Sequence, residues 1–145
     1  MREIKFRAQD IASNKWLYGD LRHHKDDVCI FEQGGTKGEQ VKAETVGQFT
    51  GIKDAFGHNI YEGDIVKVDG CPDLGNLIVV FDEGSFALAD PREYSCLQKG
   101  EHPYLNDYAR LTELGTFDYQ GLYMVIGNIV DNPELLIEIM NCKEN

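Results

Sequence analysis

Five side chains that can bind metal fall within seven positions: His23, His24, Asp26, Asp27 and Cys29. Imidazole, carboxylate and thiolate all ligate transition metals. Their spacing argues against a shared ion. Adjacent residues on a strand point to opposite faces, so His23 and His24 do not converge, and a solvated loop is the better reading. Glu62 and Asp64 flank Gly63 and could form a carboxylate pair for acid–base work. In a tight turn their ordinary role is to accept backbone N–H bonds. Gly34-Gly35-Thr36-Lys37-Gly38 is glycine-rich, but a phosphate loop needs Gly-Lys-Ser/Thr between a strand and a helix. Here the order is Thr-Lys-Gly and no helical pattern follows, so the stretch reads as a hairpin loop. Cys29, Cys71, Cys96 and Cys142 form no CxxC pair and match no zinc module. Cys71 precedes Pro72 in a loop with no cationic neighbour to activate it. No Ser sits in a nucleophile elbow, and there is no HExxH. These residues assign no catalytic centre, no metal site and no cofactor.

The elements that would carry these residues are mostly strands. Ile4, Phe6 and Ala8 alternate with Glu3, Lys5 and Arg7, the period of a half-buried strand. Ser13-Asn14 marks a turn, and Trp16, Tyr18 and Leu21 lie in the next extended stretch, so residues 2–22 read as a hairpin. Val28 to Phe31 is a short strand. Residues 51–64 are dense in turn chemistry, with Ile60 and Tyr61 anchoring the loop and Ile65 to Val68 following as a strand. Leu77-Ile78-Val79-Val80-Phe81 is a continuous apolar run that fits a strand buried on both faces. Asp82-Glu83-Gly84 turns the chain into Ser85–Ala89, and Pro91 ends that strand. Residues 92–120 carry the weakest pattern, with helical spacing of Tyr104, Leu105, Tyr108 and Leu111 after Pro103. Leu122 to Val130 is strongly β. Asn132-Pro133-Glu134 then has the chemistry of a helix start, with Asn132 able to cap.

The expected fold is therefore mainly β with minor α. It has an N-terminal β-hairpin, a small strongly bent sheet or SH3-like barrel unit, and a short C-terminal helix. One domain is expected over 1–145, with a hairpin unit at 1–44 and a barrel-like unit at 45–140. A chain of 145 residues buries roughly 68–70% of its unfolded surface and folds without metal or disulfide. The net charge of −11 disfavours direct contact with a nucleic-acid backbone, which needs clustered Lys and Arg. No run approaches a membrane span or a signal peptide, so the expected place is the cytoplasm, with no membrane partner.

Three segments are similar to the YopX-like family of phage and prophage proteins. They are Met1-Arg2-Glu3-Ile4-Lys5-Phe6-Arg7-Ala8, then Val46-Gly47-Gln48-Phe49-Thr50-Gly51-Ile52-Lys53-Asp54 continuing through Gly57 to Ile60-Tyr61-Glu62-Gly63-Asp64-Ile65-Val66, and Ile126-Gly127-Asn128-Ile129-Val130-Asp131-Asn132-Pro133-Glu134-Leu135-Leu136. The resemblance implies an origin in a phage, prophage or related mobile element. It supplies no activity and no catalytic positions. Gly51, Gly57 and Gly63 read as backbone turns.

The expected function is an accessory protein–protein interaction module that binds a host or phage protein, or a second copy of itself through exposed sheet edges. The candidate interaction residues are Tyr61, Glu62, Asp64, Tyr104 and Tyr108, within a Tyr-rich set that includes Tyr94, Tyr119 and Tyr123. Tyrosine suits interfaces because it joins a large apolar area to a polar tip. Two alternatives are a small enzyme with a carboxylate- or thiol-based site, and an acidic inhibitor that occupies the basic site of a nucleic-acid-binding protein.

Overall fold

The computed structural model describes residues 3–70, 72–101 and 123–136. The chain forms two compact units, Met1–Gly51 and Ile52–Asn145. The sheets are antiparallel.

In the first unit, β1 (Phe6–Gln9), β2 (Trp16–His24), β3 (Asp27–Phe31), β4 (Gly38–Gln40) and the start of β5 (Gly47–Lys53) lie in the order β4-β3-β2-β1-β5. Asp10 shapes the turn between β1 and β2. Its carboxylate accepts from the Ala12 N–H at 3.2 Å and the Ser13 hydroxyl at 2.7 Å. Asn14 adopts φ 61°, which Asn tolerates better than most residues. After β4 the chain returns to the end of β1. Val41 bridges to Asp10, Ile11 N–H donates to the Gln40 carbonyl, and Lys42 N–H donates to the Gln9 carbonyl. These strands bury Ala8, Ile30 and Val41, with Phe6, Leu17, Leu21, Val28 and Val46 packed around them.

In the second unit, the end of β5 turns into β6 (Asn59–Tyr61). β7 (Asp64–Val68), β8 (Leu77–Asp82), β9 (Ser85–Ala89) and β10 (Tyr123–Asn128) then form a four-stranded sheet in the order β10-β7-β8-β9. One face buries Val66, Val68, Val79, Leu88 and Tyr123 with Ile60. The other buries Ile78, Val80, Ala87 and Ala89, packed by Tyr94, Leu97, Ile129 and Leu136. β8 is thus covered on both faces at Ile78, Val79 and Val80. The apolar run extends one residue further than the burial: Phe81 is exposed and stacks edge-on with Phe86, its cross-strand partner, at 5.2 Å.

Two expectations change. No closed barrel forms among the described residues. The chain leaves β9 at Asp90 directly into a helix, α1 (Pro91–Gln98), whose Tyr94 and Leu97 lie on the sheet face. β9 and β10 stand at the two ends of the four-stranded sheet and do not pair with each other. This helix was not expected: Asp90 and Glu93 form a capping box around Pro91, which satisfies the first N–H groups. Tyr104, Leu105, Tyr108 and Leu111 lie outside the described residues. At the C-terminal side, residues 134–136 are helical. The Asn132 side chain does not cap that turn: its Oδ1 accepts from the Asn128 N–H at 3.2 Å, while its main-chain carbonyl takes the Leu135 N–H.

Candidate functional site

A cleft opens in the first unit. Trp16, Leu17 and Tyr18 come from β2, Ile30 from β3, Glu39 from β4, and Glu32 and Lys37 from the β3–β4 loop. It encloses about 520 Å³, within the size range of ligand pockets. Its position follows from Gly19, where β2 stops pairing with β1 and begins pairing with β3. A Cβ on Gly19 would stand 2.0 Å from the Phe31 carbonyl oxygen, so only glycine lets the strands approach this closely. Trp16 and Tyr18, two apart on one strand, share a face. Each ring is met by a cation from β1 or its lead-in: Arg7 lies 4.8 Å from the Trp16 centroid and Lys5 5.9 Å from that of Tyr18. On the same sheet Arg22 lies 4.3 Å from the Phe31 centroid. Ile30 is buried, while Tyr18, Glu32, Lys37 and Glu39 are exposed. The cleft thus combines aromatic and aliphatic walls with two carboxylates and one ammonium.

The second unit holds a carboxylate hub. Asp54 Oδ1 accepts the N–H groups of Phe56 at 2.9 Å and His58 at 2.8 Å. Its Oδ2 accepts Val125 N–H at 3.1 Å and stands 3.3 Å from His58 Nδ1. The carboxylate is fully buried, whereas His58 is open to solvent. Burial works against ionisation of Asp54, but the Val125, His58 and Phe56 N–H groups and the His58 ring outweigh it, and its carboxyl sits below the ordinary carboxylate range. With Ala55 N–H on the Tyr123 carbonyl, the hub fastens the β5–β6 turn to β10.

The expected interaction residues divide. Tyr61, Glu62 and Asp64 stand together in the β6–β7 turn, but Tyr61 is 3% and Asp64 2% exposed. Asp64 Oδ2 accepts the Tyr61 N–H at 2.7 Å, the turn role its position suggested. Glu62 is half-buried. Gly63, at φ 92°, donates to Val79 and accepts from Ile129. Tyr123 is core and Tyr94 packs on the sheet. Tyr104, Tyr108 and Tyr119 lie outside the described residues.

His23, His24, Asp26 and Asp27 are all exposed around the β2–β3 turn. Among the described residues no three potential metal ligands gather. Cys29 and Cys96 are free thiols. A hydrogen bond with Glu101, then burial, pushes the Cys96 thiol up, which disfavours the reactive thiolate.

The segments that carried the resemblance meet in this framework. Phe6 and Arg7 pair with Gln48 and Gly47, and Gly63 bonds to Ile129. The family profile described as YopX protein matches residues 5–137. The chain belongs to the YopX family. Among solved structures, this YopX-family chain is similar to the crystal structure of protein EF1440 from Enterococcus faecalis. The two share 23% identity with a TM-score of 0.53, over 94% of this chain and 99% of that one. At that identity the likeness carries the fold alone. No curated protein matches the chain. Among the described residues no helix is long and apolar enough to cross a membrane.

The first-unit cleft was missed in the sequence. Its seven residues come from three strands and a loop with no common period. The available signal was Trp16-x-Tyr18, two aromatics on one face of a strand.

Proposed function

We propose that this YopX-family chain is a phage- or prophage-derived accessory protein that acts in the cytoplasm by binding another protein. The first-unit cleft carries the reading. It presents aromatic walls beside charged side chains, the mix that anchors protein interfaces, and no nucleophile–base pair lines it. The half-buried Glu62 on the β6–β7 turn is a second contact point. The test is affinity capture of the tagged chain from its own host with the prophage induced. A stoichiometric partner, host or phage protein, retained by the intact chain and lost with Tyr18→Ala, is the expected result. A partner-free chain would overturn the reading.

A second reading is favoured by how the charge is distributed. Residues 1–51 hold eight Lys/Arg and eight Asp/Glu; residues 52–145 hold six and seventeen. The whole net charge of −11 falls in the second unit. Such a unit suits competition for the basic site of a nucleic-acid-binding protein. Displacement of DNA from the captured partner by the chain, weakening as salt rises, supports that role; salt-independent binding counts against it.

A further inference from the structure

We propose that the tip of the β8–β9 hairpin enters a partner's basic groove, and that the groove is one built for single-stranded nucleic acid. This role rests on the second reading above, competition by the acidic unit, and specifies its anchor.

The hairpin outruns its sheet. Among the described residues the β7–β8 ladder takes in Leu77 and Ile78, with the Gly63 N–H on the Val79 carbonyl just beyond it. β8 and β9 go on pairing through Val80–Ala87, Phe81–Phe86 and Asp82–Ser85. Those last pairs form a two-stranded ribbon past the β7 ladder. α1 covers one face of it, through Tyr94 and Leu97 against Val80 and Ala87. Phe81 alternates to the other face, where it is 54% exposed. Its ring is held edge-on to Phe86 at 5.2 Å, and Phe86 packs against the core. The turn is fixed as well. Glu83 and Gly84 both take positive φ, 47° and 83°, the backbone of a type I′ hairpin turn. The ring is therefore positioned before any partner arrives, which lowers the ordering cost of binding.

Charge selects the partner. From Val68 to Pro91 the chain carries Asp69, Asp73, Asp82, Glu83 and Asp90 and no Lys, Arg or His. Asp82 and Glu83 follow Phe81 directly at the tip. Glu83 holds a positive φ that Asn or Gly adopts at lower cost. The cations of the packed elements lie elsewhere. Lys67 follows the Val66–Leu77 pair, at the end of β8 away from the tip. Arg92 and Lys99 belong to α1 and its C-cap, on the opposite face. A ring flanked by carboxylates combines the two chemistries of a nucleotide in an unpaired strand, a flat face that stacks and an anionic flank. Grooves for single strands match both, with basic walls along the backbone and aromatic platforms for the bases. Duplex-binding surfaces match the charge but read base edges and phosphates, not ring faces. That difference favours a single-strand groove.

Nuclease-treated host lysate is loaded on immobilised oligo-dT and, in parallel, on an immobilised duplex, and each is eluted with the full chain at low salt. Proteins eluted from oligo-dT are purified, and their displacement from fluorescent oligo-dT by the chain is followed by anisotropy. The intact chain is expected to displace competitively. Phe81→Ser is expected to be weaker by about tenfold or more, the scale of one buried aromatic anchor, with an unchanged urea midpoint, and Phe81→Trp to retain displacement. Asp82→Asn combined with Glu83→Gln is expected to weaken displacement and flatten its salt dependence. Elution from the duplex alone, or equal displacement by Phe81→Ser, overturns the role of the tip while the competition reading stands. No elution from either support overturns both.

Discussion

At the scale of single residues, the second unit depends on Asp54 and the first on Gly19. The Asp54 carboxylate satisfies three backbone N–H groups, one of them 71 positions away on β10. Truncating it strands those donors inside the protein. Asp54→Ala is expected to cost about 2–3 kcal/mol, the range for unmet buried hydrogen bonds, read as a lower urea midpoint. The sign of the pH dependence follows from the lowered pKa. A carboxylate held below its unfolded value stabilises the fold above that unfolded value, near pH 4. That stability is lost as pH falls through the lower folded value. The intact chain is therefore expected to weaken below about pH 4, and Asp54→Asn to show a flatter profile there; an unchanged acid limb would contradict the hub. Gly19→Ala forces a Cβ against the Phe31 carbonyl and is expected to destabilise by about 1–3 kcal/mol, the usual cost of overpacking. Little of this could be read in the sequence. Asp54-Ala55-Phe56-Gly57 announces a turn, but nothing local names Val125 as its second anchor. Tyr61 and Asp64 illustrate the same limit: a turn motif places them beside one another without saying that both side chains face inward.

At the scale of elements, the readable parts are those whose contacts are local. The β8–β9 hairpin has an apolar run, an Asp82-Glu83-Gly84 turn and a register with each pair in sequence order, so pattern alone finds it. The β1–β2 hairpin is fixed in the same way by Asp10, Ser13 and Asn14. α1 was readable and missed, because Pro91 signals both the end of a strand and the first position of a helix. Asp90 and Glu93, three apart, decide between them. Asp90→Ala is expected to lower stability by about 1 kcal/mol, the typical worth of an N-cap, measured as a shift in the denaturant midpoint. No shift would mean that Tyr94 and Leu97, packed on the sheet, hold α1 without its cap. Closure into a barrel was not readable, since it depends on whether the edge strands β9 and β10, far apart in sequence, pair with each other.

At the scale of the whole molecule, the charge partition and the cleft make separable demands. Composition discloses the net charge, but only the division at Gly51 assigns all of it to residues 52–145. Contacts made by that acidic unit with a basic partner are screened by salt. Raising salt from about 0.05 to 0.5 M is expected to weaken such binding at least about tenfold, mostly through the association rate. We propose that partner binding by the YopX-family chain runs through the cleft of its first unit. Amide hydrogen exchange on the chain, alone and with its captured partner, tests it most directly. Slowed exchange is expected at Trp16–Tyr18 and across the β3–β4 loop around Glu32 to Glu39. Exchange unchanged there, with protection confined to the second unit, would contradict it.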